Sequence, residues 1–175
     1  MSVPGAGPCH LNKGFWSWNP SAARQANSFM SIQPDFEELL RLLEKTAVEY
    51  LIVGGYAVAL HGYPRYTKDI DLFFNPCQEN VDRIISTLIG FGFSSDQLNR
   101  ELFSTPGNII TFGVTPVRVD FLNEIDGVSF KDAWPNRVRR AYGSVTANFI
   151  GFDDLIKNKS STGRNRDKLD VEELS

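Results

Sequence analysis

The chain has 175 residues, 42% of them hydrophobic and 22% charged, which fits one packed domain and excludes a collagen-like or wholly disordered chain. Eighteen Lys and Arg against 21 Asp and Glu leave a net charge of −3, so no global field draws the protein to nucleic acid or an anionic membrane. The two cysteines, Cys9 and Cys77, form neither a disulfide framework nor a zinc spacing. The first residues lack a secretory leader pattern, and no window nears the roughly 18 apolar residues of a membrane span. A reduced, cytoplasmic protein with no membrane association is the expectation.

Residues 1–30 are rich in Gly, Pro, Ser and Asn without a helical or strand period, which predicts a flexible N-terminal arm and leaves 31–175 as the domain. Cys9 and His10 lack a second pair and predict no metal site. Pro34 suits a first helical position, acids follow at 35, 37 and 38, and Phe36, Leu39, Leu40, Leu43 and Ala47 form one apolar stripe. Residues 51–53 read as a short strand stopped by Gly54 and Gly55, residues 57–60 as a brief helix closed by Gly62 and Pro64, and residues 69–74 as a strand. Helical spacing returns at Val81, Ile84, Ile85, Leu88 and Ile89 and ends at Gly90 and Gly92. Residues 109–114 and 117–122 predict a hairpin around Thr115 and Pro116, and a second pair straddles Gly143, over 139–142 and 145–150. Two helices, 152–160 and 164–174, close the chain around Gly163.

The chemistry concentrates in LIVGGYAVALHGYPRYTKDIDLFF, residues 51–74. Positions i and i+2 of a strand share a face, so Asp69 and Asp71 emerge together while Ile70 and Leu72 enter the core. Paired carboxylates repel, and a polyvalent cation relieves the repulsion. In VRVDFL, Arg118, Asp120 and Leu122 share one face; if that strand neighbours the first, Asp120 completes a three-acid cluster suited to magnesium. Gly54 and Gly55, between strand and helix, let a phosphate approach backbone N–H groups. No lysine and Ser/Thr follow as a P-loop requires. The ordinary alternative is a tight glycine turn beside a solvated strand face.

The order Gly-Gly, short helix, Arg65, Thr67, Asp69 and Asp71, then a strand Asp120, resembles the nucleotidyltransferase superfamily that includes DNA polymerase beta. Within it, the likeness is to the uncharacterised domain family numbered 6036 and to abortive-infection toxin-type nucleotidyltransferases, whose C-terminal pattern is similar to DLIKNKSSTGRNRDKLDVEEL, residues 154–174. The resemblance covers about residues 34–174. It implies an α+β fold, a mixed β-sheet with flanking helices and a C-terminal helical pair. It also implies metal binding by Asp69, Asp71 and Asp120, with Asp120 helping to deprotonate the attacking hydroxyl. Gly54 and Gly55 would hold the triphosphate and Lys159 would contact phosphate, while Arg164 and Asp167 match later motif positions. Many superfamily members have Gly-Ser where this chain has Gly54-Gly55, which removes a hydroxyl contact to phosphate. Arg65, close to the glycine turn, is a candidate substrate contact, and His61 reads as an ordinary helix-end residue. Arg166 and Lys168 read as solvated helix surface and are left out of the site. Lys131, Arg137, Arg139 and Arg140 form either a solvated face or an RNA-backbone surface.

The expected activity is transfer of a nucleoside monophosphate from an NTP to an acceptor hydroxyl with release of pyrophosphate, using two Mg2+ ions roughly 3.5–4 Å apart. Such transfer depends on positioning and charge, so no serine, cysteine or histidine nucleophile is required. RNA (tRNA among the candidates), protein and small molecules all stand as acceptors. The alternative is a catalytically inactive module of the same fold, partnered with a cognate toxin or antitoxin protein. A metal phosphohydrolase ranks third, because a dedicated nucleophile or histidine ligand set is missing.

Overall fold

The stripe of residues 36–43 becomes the inner face of the first helix of the computed structural model, which describes residues 32–114 and 117–175. The expected arm over 1–30 and the turn residues Thr115 and Pro116 lie outside the described residues. Helix α1 (Pro34–Lys45) starts on proline, carries Asp35 and Glu37 in its first turn and Lys45 in its last, and buries Phe36, Leu39, Leu40 and Leu43. Strand β1 (Tyr50–Val53) runs directly into α2 (Gly54–Leu60), which begins on the glycine pair itself, before Ala57. After β2 (Asp69–Phe74), helix α3 (Gln78–Phe91) ends where Gly92 turns left-handed, φ 119°.

A 3-10 turn (Ser95–Gln97) and α4 (Arg100–Ser104) fill a stretch to which the sequence assigned no element. Strands β3 (Ile109–Val114) and β4 (Val117–Leu122) form the expected hairpin. Helix α5 (Phe130–Ala133), also unpredicted, and a 3-10 turn (Trp134–Asn136) precede the second hairpin, β5 (Val138–Tyr142) and β6 (Val145–Phe149). Helices α6 (Phe152–Ser161) and α7 (Asn165–Leu174) complete the predicted C-terminal pair.

The six strands form one mixed sheet in the order β3-β4-β2-β1-β6-β5, with β1–β6 and β2–β4 parallel and the other neighbours antiparallel. Both faces are covered, and the strand alternation sorts side chains between them. One face sends Tyr50, Ile52, Ile70, Leu72, Phe74, Val119, Phe121 and Phe149 into the larger core with α1 and α3. The other sends Leu51, Val53, Phe73 and Ile150 toward Ala57, Val58, Phe130 and Leu155. On this second face β2 reads Asp69, Asp71, Phe73, so its first half is polar and its end apolar. Leu122 of β4 joins the second core only at the strand's end. The apolar ends hold the layers together, and the polar starts are left for a cleft. No helix among the described residues is long and apolar enough to cross a membrane.

Phe121 is fully buried and packs edge-on against Phe74, Phe103 and Phe112 at ring separations of 5.9–6.2 Å. Phe121→Ala is expected to cost about 3–5 kcal/mol of stability, measured by urea unfolding followed by circular dichroism; a loss under 1 kcal/mol would show that this aromatic cluster does not anchor β4.

Candidate functional site

Strand period and register together build the site. Asp69 and Asp71 lie two residues apart on β2, Arg118 and Asp120 two apart on β4, and the parallel pairing sets Asp69 opposite Arg118 and Asp71 opposite Asp120. On β3, Gly113 stands opposite Arg118 and Thr111 opposite Asp120. The result is a two-by-two block of three acids and one guanidinium on a single face. Arg118 Nη2 lies 2.8 Å from Asp69 Oδ2 and donates to Asp120 Oδ2 at 3.0 Å, while Thr111 Oγ1 donates to Asp120 Oδ1 at 2.7 Å. Both oxygens of Asp120 are therefore engaged.

The glycine pair meets this block from β1. Gly54 has φ 62°, and a Cβ built on it would fall 2.0 Å from Asp71 Oδ2; one on Gly55 would fall 2.8 Å from Thr67 Oγ1. The glycines are thus required by the close approach of two site side chains, a reason the sequence reading did not contain. Thr67 Oγ1 in turn donates to the carbonyl of Asp69 at 3.2 Å.

A cleft of about 640 Å³ opens over the block, and its walls include Gly54, Gly55, Arg65, Thr67, Asp69, Asp71, Lys159, Arg164 and Asp167. Nine of the ten residues singled out from the sequence thus converge. Asp120 lies behind them, buried beneath Thr111 and Arg118 and absent from the wall. The cleft also takes in Arg118, Glu124, Asp126, Thr162 and Arg166. Arg166, set aside above as helix surface, therefore belongs to the wall, whereas Lys168 does not. Arg118 was already on the Asp120 face by strand period, but only the register with β2 brings it to Asp69.

The C-terminal pair is tied to the sheet by buried charge. Lys159 of α6 pairs with Asp167 and, at 3.1 Å, with Asp170, both on α7. Asp170 also meets Arg65 Nε at 3.2 Å, linking α7 to the segment before β2. Thr162 Oγ1 donates to Asp167 at 2.7 Å. Burial works to raise the Asp167 carboxyl, but its bonds to Lys159 and Thr162 prevail and hold it below the usual value. Burial pulls Arg65 below the ordinary arginine range, with Asp170 opposing. Asp170 is 1% exposed and was not among the residues predicted.

Elsewhere, the helix-end reading of His61 agrees with its place: Nε2 lies 2.8 Å from the Ile150 carbonyl. The supposed basic surface is partly consumed. Arg137 stacks over Trp134 at 4.0 Å, and Arg139 bonds Glu44 at 2.9 Å.

The acid block fits a divalent cation by its donor chemistry, since carboxylate oxygens are the ligands a hard ion takes. Asp69 Oδ1 is buried without a hydrogen-bond partner. The Asp71 carboxyl is pushed up to about 6, first by burial and then by Asp120, with Lys159 opposing, which is the repulsion that a cation relieves. As they stand, however, no three Asp, Glu, His or Cys side chains among the described residues are arranged to hold a metal ion. Arg118 sits between two of the acids.

A family model described as "Nucleotidyltransferase of unknown function (DUF6036)" matches residues 27–175. That span contains all six strands and every site residue above, and the α+β architecture with its six-stranded mixed sheet is consistent with a nucleotidyltransferase fold. Comparison with curated proteins returns no match.

Two stability measurements test this geometry. Gly54→Ala is expected to cost about 2–3 kcal/mol, from left-handed backbone plus displacement of Asp71, and only about 1–2 kcal/mol in an Asp71→Ala background; equal costs in the urea double-mutant cycle would refute the close approach. Asp170→Ala, which strips buried Lys159 and Arg65 of a shared partner, is expected to cost about 3 kcal/mol, read from the same unfolding curves.

Proposed function

Because the chain belongs to this family of nucleotidyltransferases, we propose that it transfers a nucleoside monophosphate from an NTP to an acceptor hydroxyl, releasing pyrophosphate, in a divalent-metal-dependent reaction. One observation carries the reading: the same cleft brings the strand acids Asp69 and Asp71 together with two exposed arginines of the C-terminal segment, Arg164 and Arg166. An NTP bound with magnesium has this bipolar demand, since the ion needs oxygen ligands and the polyphosphate needs cations. The volume, about 640 Å³, lies in the range of small-molecule sites, roughly 300–1,000 Å³.

In this reading Asp69, Asp71 and Asp120 hold Mg2+, with two ions expected. Bound there, the metal would activate the acceptor hydroxyl and neutralise charge on the leaving pyrophosphate. Arg164 and Arg166, both exposed at the cleft, bind the phosphate chain. Lys159, on the cleft wall but paired with Asp167 and Asp170, would contact a phosphate by exchanging one of these partners. Arg65 and Thr67, both on the cleft wall, orient the bound nucleotide. Gly54 and Gly55 bring the backbone within reach of the phosphates. Asp120 would help to deprotonate the acceptor hydroxyl, which requires Thr111 or Arg118 to release one of its oxygens. RNA, protein and small molecules all qualify as acceptor.

A second reading, a non-catalytic module partnered with a cognate toxin or antitoxin protein, is favoured by one observation: Arg118 already pairs with Asp69 and Asp120. Metal-dependent NTP binding without transfer, together with a co-purifying protein, would select it.

The test is incubation of the protein with labelled NTPs, Mg2+ and total RNA or cell extract. Transfer is expected with the native sequence and to vanish with EDTA. Asp69→Asn and Asp71→Asn are each expected to lower it at least about 100-fold. Transfer that survives both substitutions overturns the assignment.

A further inference from the structure

We propose that Arg118 is a tethered counter-cation: its guanidinium bridges Asp69 and Asp120 in the metal-free protein, and would move to the phosphates of the nucleotide when these acids take a metal. The inference rests on the nucleotidyltransferase reading and extends it to how the site is loaded.

Four observations point to a guanidinium held by charge and free to leave. A single nitrogen, Nη2, lies within 3.0 Å of both carboxylates, so one donor spans the two groups, as a single ion would. The fit is incomplete. Arg118 Nε and Asp69 Oδ1 are both buried without hydrogen-bond partners, so the pairing leaves one polar atom on each side unengaged. The acids do not form a metal-holding group as they stand, and Arg118 lies between two of them. Finally, the Arg118 side chain has room to move, being 40% exposed where it lines the cleft.

The physical consequence is an exchange. Without metal, three clustered carboxylates repel, and Arg118 offsets part of that repulsion. A divalent ion carries twice the charge and displaces the guanidinium from Asp69 and Asp120. The freed fork lies on the wall of the same cleft, and its planar donors match phosphate oxygens. Arg118 therefore opposes metal binding to the empty protein and favours nucleotide binding. A purely structural residue would do neither.

The experiment is titration of the protein and its Arg118→Met variant with Mn2+ alone, followed by electron paramagnetic resonance, and with ATP at saturating Mn2+, followed by calorimetry. Arg118→Met is expected to bind Mn2+ at least about fivefold more tightly and ATP at least about fivefold more weakly, the size of a partly exposed charge contact. Its melting temperature in EDTA is expected to fall, and its rise on adding Mn2+ to exceed that of the parent. Should Arg118→Met fail to fold, Arg118→Lys, which keeps the charge but not the fork, is expected to retain Mn2+ affinity near the parent and to lose ATP affinity. Equal or weaker Mn2+ binding by folded Arg118→Met overturns the role of Arg118 alone. Absence of Mn2+ binding by both proteins overturns the metal site as well.

Discussion

The parallel register between β2 and β4 is the constraint on which the site depends. It sets Asp71 opposite Asp120 and Asp69 opposite Arg118. What holds that register lies on the other face of the sheet, where Ile70 and Leu72 pack with Val119 and Phe121 in the larger core. A slip of β4 by one residue would turn Val119 and Phe121 toward the cleft and bury Arg118 and Asp120, a cost far above any gain in the site. Hydrophobic packing on one face thus places charge on the other.

Gathering three acids is unfavourable, and the surroundings of each carboxylate differ accordingly. Asp120 is satisfied by Thr111 and Arg118. Asp69 shares Arg118 but keeps one oxygen unpaired. Asp71 bears the strain, its carboxyl raised to about 6 by burial and by Asp120. It also approaches so near to Gly54 that any side chain there would displace it. The group most in need of a cation is the one packed against the glycine corner.

The second charged assembly joins the chain's last helices to this block. Lys159, Asp167, Asp170 and Arg65 are paired out of solvent's reach or nearly so. Breaking such a set strands a buried charge, so the contacts specify where α6 and α7 dock more than they add stability. Their docking leaves Arg164 and Arg166 at the cleft.

Much of this was legible in the residues themselves. The stripe of α1, the strand carrying Asp69 and Asp71, both hairpins and the C-terminal helices follow from local periodicity, which tertiary contacts only reinforce. The same period placed Asp69 with Asp71, and Arg118 with Asp120. Membership of the family was likewise carried by short motifs. Four things had to wait for the fold. The pairing of β2 with β4 is a contact between segments far apart in sequence, and no local signal encodes its register. The bridging by Arg118 follows from that register. Asp170 and Arg166 looked like ordinary charges on a polar helix, because burial is a property of what packs against a residue. The short helices α4 and α5 carry too few turns to show a period. Local sequence thus determined which side chains share a face, while only tertiary packing decided which faces meet, because that depends on burial of apolar surface across the whole chain.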